Sequence, residues 1–193
     1  MKTTNIMIVG VGGQGTLLAS KVLGRVLLDA GYDVKVSEVH GMSQRGGSVV
    51  TYVRYGEKVY SPVIDEGEAD CIVSFELLEA LRWLSYLKPG GRMIVNLQKI
   101  DPMPVITGAA AYPDDALAQM QKLPLKLSAY DYLVLAEQAG SAKAVNLTLL
   151  GTLSNGFADI PLSVWENAIR ELVPAKFVEL NLAAFRLGRE LPQ

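Results

Sequence analysis

The run Gly10-Val11-Gly12-Gly13-Gln14-Gly15 constrains this chain more than any other feature, because it separates two segments of different periodicity. Upstream, Asn5-Ile6-Met7-Ile8-Val9 is continuously apolar, the pattern of a strand covered on both faces of a parallel sheet. Downstream, from Thr16 to Ala30, Leu17, Leu18, Val22, Val26 and Leu27 recur at helical spacing, and Gly31 stands where a left-handed C-terminal cap belongs. A G-x-G-x-x-G turn between strand and helix has two physical uses. Its glycines permit positive φ and close approach of a ligand, while N–H groups at the helix start receive phosphate. A dinucleotide reading would enlist Glu38, at the end of the second strand, to hold a ribose hydroxyl. Alternatively, the glycines only let strand and helix pack closely.

The remaining pattern extends this unit into a sheet. Asp33 to Glu38 alternates polar with apolar and predicts a second strand, followed by a Gly/Ser/Gln-rich loop from His40 to Gly47 that should be exposed. Ser48 to Tyr55 is β-branched and aromatic. Gly56-Glu57 then suits a two-residue hairpin into Lys58-Val59-Tyr60. Ala69 to Ser74 predicts a strand, Glu76 to Leu87 a helix broken by Lys88-Pro89-Gly90-Gly91, and Arg92 to Asn96 the next strand. Pro102 and Pro104 interrupt the chain before Val105-Ile106-Thr107; Pro113 to Lys122 predicts a short helix and Leu125 to Ala129 a strand. Beyond Tyr130 the pattern is helical, with breaks near Gly140, Gly156 and Pro174. The expected fold is α/β: a single Rossmann-like domain over residues 1–193, with a mostly parallel sheet, one β-hairpin and a helical C-terminal segment.

Composition excludes several chemistries. Cys71 is the only cysteine and His40 the only histidine of 193 residues, so the chain cannot supply cluster thiolates or a zinc site of paired His and Cys ligands. Within Cys71-Ile72-Val73 the thiol reads as a small buried apolar group. A net charge of −2 without a basic, aromatic-interleaved block gives no reason to expect nucleic acid as a partner. No apolar run is long enough for a bilayer-spanning helix, and Met1-Lys2 leads straight into a strand-like run, so a cytoplasmic chain without a signal peptide is expected. Half the residues are apolar, an excess that a partner interface would absorb.

A second run distinguishes the chain from a generic dinucleotide-binding domain: Glu38-Val39-His40-Gly41-Met42-Ser43-Gln44-Arg45-Gly46-Gly47-Ser48. Together with Gly12-Gly13-Gln14-Gly15 it closely resembles the gamma domain of pyruvate and other 2-oxoacid:ferredoxin oxidoreductases, and it looks most like the small (beta) subunit of the indolepyruvate enzyme. Ala69-Asp70, Glu79-Ala80, Gly90-Gly91 before Ile94-Val95-Asn96, and Asn146 with Leu150-Gly151 extend the resemblance over almost the whole chain. The resemblance implies a complex that decarboxylates a 2-oxoacid on thiamine diphosphate with magnesium, passes electrons through iron–sulfur clusters to ferredoxin, and releases an acyl-CoA. Thiamine-binding and ferredoxin-like chains would be its partners. This chain lacks both the G-D-G thiamine motif and the cluster cysteines. In the family the domain packs beside the thiamine-binding parts and is associated with coenzyme A access.

The resemblance also suggests a ligand-facing set: Gly10, Gly12, Gly13, Gln14 and Gly15 on the turn, then Glu38, His40, Ser43, Gln44, Arg45, Gly46 and Gly47. Arg45 is the leading functional candidate, because a planar guanidinium clamps a carboxylate or phosphate with two parallel hydrogen bonds. Its alternative is an interface ion pair. His40 and Gln44 lean towards a structural or interface role, and Glu38 towards capping its loop's N–H groups. Asn146, among apolar neighbours, reads as a buried polar group bonded to backbone. Two other functions stand beside the subunit reading: a free-standing nucleotide- or CoA-binding module, and an NAD(P)-dependent oxidoreductase, although the later sequence offers the latter no histidine as acid or base.

Overall fold

The computed structural model describes residues 3–40 and 47–192, His40 by its backbone alone. Six strands form one sheet: β1 (Thr4–Val11), β2 (Asp33–His40), β3 (Ser48–Gly56), β4 (Ala69–Ser74), β5 (Leu87–Asn96) and β6 (Lys126–Tyr130), in the order β2-β3-β1-β4-β5-β6. The β1–β4, β4–β5 and β5–β6 pairs are parallel, while β3 runs antiparallel to both neighbours. The mostly parallel sheet expected from the apolar runs is present, and β1 is buried from Asn5 to Val11 as its sequence requires.

Helices cover the two faces unequally. On one lie α1 (Thr16–Asp29), α5 (Tyr132–Gln138), α6 (Val145–Ser154), α7 (Leu162–Leu172) and α8 (Val178–Arg189), sharing a core with Ile6, Ile8, Val73 and Ile94. On the other, α2 (Leu77–Arg82) and α4 (Ala116–Gln121) pack over Met7, Val9, Ile72, Met93 and Val95. All ten residues of α6 are buried, so it carries no polar stripe and lies between the sheet and α8. Gly151 and Gly188 make that crossing possible: a Cβ on Gly151 would lie 2.0 Å from the Phe185 carbonyl oxygen, and one on Gly188 1.9 Å from that of Thr148.

The antiparallel element differs from expectation. Gly56 closes β3 opposite Asp33 without positive φ, and Lys58 to Tyr60 form no strand. β3 already has β1 on one edge and β2 on the other, so no hydrogen-bonding edge is left for a returning segment. Val59 is buried instead, its N–H donating to Asp33 Oδ2 at 2.9 Å. Among the described residues the antiparallel pair consecutive in sequence is β2–β3. Helix α2 is also shorter than the leucine spacing predicts. It ends at Arg82, the chain turns through a 3-10 segment at Leu84–Tyr86, and Leu87 already begins β5, which carries Lys88 to Gly91 as an irregular start paired with β4. Met103–Ile106 forms a single turn, α3, after Pro102. Gly31 adopts φ 88° after α1, as its position after the helical run requires.

Candidate functional site

The strand order reverses between β1 and β4, since α1 carries the chain from β1 towards β2 while α2 carries it from β4 to β5. In open α/β sheets the crevice outside the carboxyl ends at such a point receives ligands. Here the glycine turn closes on it. Gln14 Oε1 accepts from Val11 N–H at 2.7 Å, and Gln14 Nε2 donates across the crevice to the Phe75 carbonyl at 3.0 Å and to Gln98 Oε1 at 3.1 Å. Gly10 is needed for this closure, because a Cβ there would lie 2.9 Å from both Gln14 Oε1 and Phe75 Cβ. Gly12 N–H is also spent, donating to the Gly47 carbonyl at 2.9 Å and continuing the β1–β3 ladder past Val11 and Ser48.

The outer side of the turn is different. Gly13 is exposed at φ 103°, with nothing within 4 Å of where a Cβ would stand. Gly15 is the left-handed N-cap of α1, and no side chain caps the helix. The N–H groups of Gly13, Gly15, Thr16 and Leu17 find no acceptor among the described residues. Gly15 itself is held from behind, where Asn146 Nδ2 donates to its carbonyl at 3.4 Å and stands 2.9 Å from a would-be Cβ. Asn146 Oδ1 accepts from Leu147 N–H at 2.9 Å, so this residue is the buried, backbone-bonded amide its apolar neighbours predicted.

Glu38 lies away from the turn. Because β3 intervenes between β1 and β2, Glu38 sits opposite Thr51, which sits opposite Ile8. Two strand spacings, roughly 10 Å, therefore separate it from β1. Its carboxylate accepts from Ser20 Oγ of α1 at 2.9 Å. Ser43, Gln44, Arg45 and Gly46, with the His40 side chain, lie outside the described residues. Gly47 and Ser48, which follow them, are anchored at the turn by Gly12 N–H and on α2 by Glu79, whose carboxylate accepts from Ser48 Oγ.

Sequence reasoning missed a set of buried polar groups beside this crevice. Glu76, 1% exposed, caps α2 by accepting from Glu79 N–H at 2.9 Å, and also accepts from Ile100 N–H at 3.0 Å and Tyr112 Oη at 2.5 Å. Burial, and then the neighbouring Glu76 carboxylate, push the Tyr112 phenol well above its ordinary range. Glu79 accepts in addition from Arg82 Nε at 3.1 Å and Trp83 Nε1 at 3.2 Å. Asn96 Nδ2 donates to the Phe75 carbonyl at 3.1 Å, while its Oδ1 accepts from Tyr132 N–H at 3.1 Å. The signal was a polar residue ending each apolar strand: Ser74 on β4 and Asn96 on β5. With these bonds satisfied, the groups brace the carboxyl ends of the strands.

Reactive side chains are scarce. Cys71 is buried, and burial pushes its thiol up to about 12, which keeps it from acting as a thiolate nucleophile. Among the described residues no group of three or more His, Cys, Asp or Glu side chains is arranged to hold a metal ion. No helix among them is long and apolar enough to cross a membrane.

The fold and site thus define a Rossmann-like α/β domain whose switch-point crevice is closed by its own glutamine and whose glycine turn offers donors only on the outside. The chain belongs to the pyruvate ferredoxin/flavodoxin oxidoreductase family, whose model matches residues 5–191. It is 48% identical over 97% of its length, and 95% of the relative's, to the indolepyruvate oxidoreductase subunit IorB of Thermococcus kodakarensis. It is 46% identical to the corresponding subunit of Pyrococcus horikoshii, again over 97% of this chain and 95% of the relative. In structure it is similar to a pyruvate oxidoreductase subunit of Thermotoga maritima, with a TM-score of 0.75 at 22% identity, covering 98% of this chain and 97% of that one.

Proposed function

We infer that this chain is the gamma-type subunit of a 2-oxoacid:ferredoxin oxidoreductase, and that the 2-oxoacid is an aryl pyruvate of the indolepyruvate class. The observation that carries the reading is the family match over residues 5–191, together with near-full-length identity to subunits named for indolepyruvate. The chain acts within a complex and is inactive alone. Thiamine diphosphate with magnesium supplies the decarboxylation chemistry in that complex, and iron–sulfur clusters carry the electrons onward to ferredoxin. Neither fits this chain: its one thiol is buried, and among the described residues no three His, Cys, Asp or Glu side chains gather to hold a cation.

Coenzyme A fits in a restricted way. Gln14 bridges the β1–β4 crevice to Phe75, whereas the outward N–H groups of Gly13, Gly15, Thr16 and Leu17 suit an anion at the positive end of α1. In this reading Arg45, two positions before Gly47 in the sequence, contributes a guanidinium to the carboxylate of the 2-oxoacid or to a phosphate of coenzyme A. An open groove of about 550 Å³ along α1 and the edge strand β2, bordered by exposed Leu17, Leu28 and Val36, supports a partner-covered surface.

The test is reconstitution with the thiamine-binding partner chain, followed by coenzyme A-dependent reduction of ferredoxin or a viologen. Indolepyruvate should give a higher kcat/KM than pyruvate or 2-oxoglutarate, and each chain alone should give none. Dye reduction by the isolated, cofactor-supplemented chain would overturn the subunit reading. Preference for an aliphatic 2-oxoacid would overturn the substrate class alone.

A further inference from the structure

At the end of the sheet opposite the glycine turn, a cavity of about 550 Å³ opens between the start of β6 and the end of α6, lined by Arg92, Lys126, Leu127, Ser128, Asn155 and Gly156. Arg92 and Lys126 are direct partners in the parallel β5–β6 ladder, so two cations stand side by side on one face. Like charges in that position repel. Lys126 is exposed and forms no ion pair with a described carboxylate. Asp70 borders the adjoining cavity with Lys88, Arg92 and Lys126, and is engaged by Lys88 Nζ at 2.6 Å and Asn5 N–H at 2.8 Å.

One hydroxyl-bearing residue lines the cavity. Ser128 is 5% exposed, lines the cavity, and makes no hydrogen bond with a described residue. Tyr132, fully buried and outside the cavity lining, keeps a hydroxyl without a hydrogen-bond partner among the described residues. A hydroxyl that lines a cavity beside two cations and is not used by a neighbouring residue is free to donate to an anion there. Arg92 has a separate structural duty, donating to the Thr152 carbonyl at 3.0 Å and to that of Leu153 at 3.5 Å, the unsatisfied end of α6.

We propose that this cavity is a binding site for a small phosphorylated metabolite, held by the Lys126 ammonium and the Ser128 hydroxyl, with Arg92 as a fixed positive charge beside it. The guanidinium is oriented onto the helix carbonyls and so is not presented as the planar fork a carboxylate prefers. An ammonium and a hydroxyl two residues apart on one strand face suit the spread oxygens of a tetrahedral phosphate. The volume accommodates a phosphate ester rather than the bare ion alone. The site is separate from the glycine turn and does not depend on which 2-oxoacid the complex uses.

Calorimetric titration of the full chain with inorganic phosphate, glucose 6-phosphate and acetate, at constant ionic strength, tests it. Both phosphates should bind and acetate should not. Lys126→Gln should weaken phosphate binding about tenfold and Ser128→Ala roughly threefold, while Lys21→Gln, on the other side of the sheet's centre, leaves it unchanged. Circular dichroism melts verify that each variant is folded. Absence of phosphate binding, acetate binding as tightly as phosphate, or wild-type affinity in both Lys126→Gln and Ser128→Ala would each overturn the proposal.

Discussion

Gln14 is where an architectural and a ligand-binding account of the glycine turn part company. In Gln14→Ala, Val11 N–H loses the acceptor it meets at 2.7 Å. The Phe75 carbonyl keeps its bond from Asn96 Nδ2 at 3.1 Å, and Gln98 Oε1 keeps a longer contact to the same amide at 3.4 Å. The cost is therefore dominated by one partly buried N–H left unpaired, about 1–3 kcal/mol. For a chain of this size each kcal/mol lowers Tm by roughly 2–4 °C, so a fall of about 6 °C is expected. Gln14→Glu is the sharper probe. It keeps the acceptor for Val11 but turns the crossing donor into an oxygen that faces two others, the Phe75 carbonyl at 3.0 Å and Gln98 Oε1 at 3.1 Å. The near-isosteric variant should therefore be less stable than the truncated one. Differential scanning calorimetry of the three proteins measures this order directly. If both variants melt within about 1 °C of wild type, Gln14 is not a brace and belongs to a binding surface instead.

Three further outcomes follow from the same geometry. Gly151→Ala should cost about 3 kcal/mol or more, since its Cβ would lie 2.0 Å from the Phe185 carbonyl oxygen, whereas Gly24→Ala, with nothing nearer than 3.7 Å, should gain about 0.5–1 kcal/mol; thermal melts compare them. Cys71 should resist maleimide in the native protein at pH 8, and because its folded pKa is raised, the stability it contributes is intact below the unfolded thiol's pKa and is lost as pH rises towards about 12; urea melts across alkaline pH follow that loss. Arg45→Ala should lower kcat/KM for coenzyme A or the 2-oxoacid roughly ten- to a hundredfold in the assembled complex, with Arg45→Lys recovering part; unchanged kinetics removes Arg45 from the site, and failed assembly moves it to the interface.

The buried strands and the C-terminal helices were legible because their signals are local: continuous apolar runs, helical spacing, and glycine or proline breaks. Pairing was not. Whether Lys58 to Tyr60 could add a strand depended on β3 having a free edge, and that edge was taken by β1, which ends 37 positions before β3 begins. Helix α2 was overextended for a similar reason, since leucines at helical spacing also serve a helix that stops at Arg82 and a chain that turns into β5 to meet β4. At the site, the glycine turn was located correctly, but its orientation was not readable. Only the fold shows that Gln14 points inward to Phe75 and that Glu38 belongs to Ser20. Gly151, noted as part of the family resemblance, acquires a physical cause in the close crossing of α6 and α8.

The same contacts bear on the dehydrogenase alternative, and they predict that NAD and NADP do not bind. A dinucleotide laid across this switch point would need the crevice between β1 and β4, which Gln14 bridges to Phe75, and close approach at the second glycine, whose N–H is already given to Gly47. It would also need an acid on a strand adjoining β1. That neighbour is the antiparallel β3, and Glu38 stands one strand further out, bonded to Ser20. Opening the crevice would break the Gln14 bonds and separate Gly10 from Phe75, so a ligand would have to offset that reorganisation before gaining any affinity. Titration calorimetry with each dinucleotide should show no saturable heat at millimolar concentration. A micromolar Kd, worth about 8 kcal/mol, would mean that the turn reopens around a ligand and that its closure is one state of a binding site rather than a permanent brace.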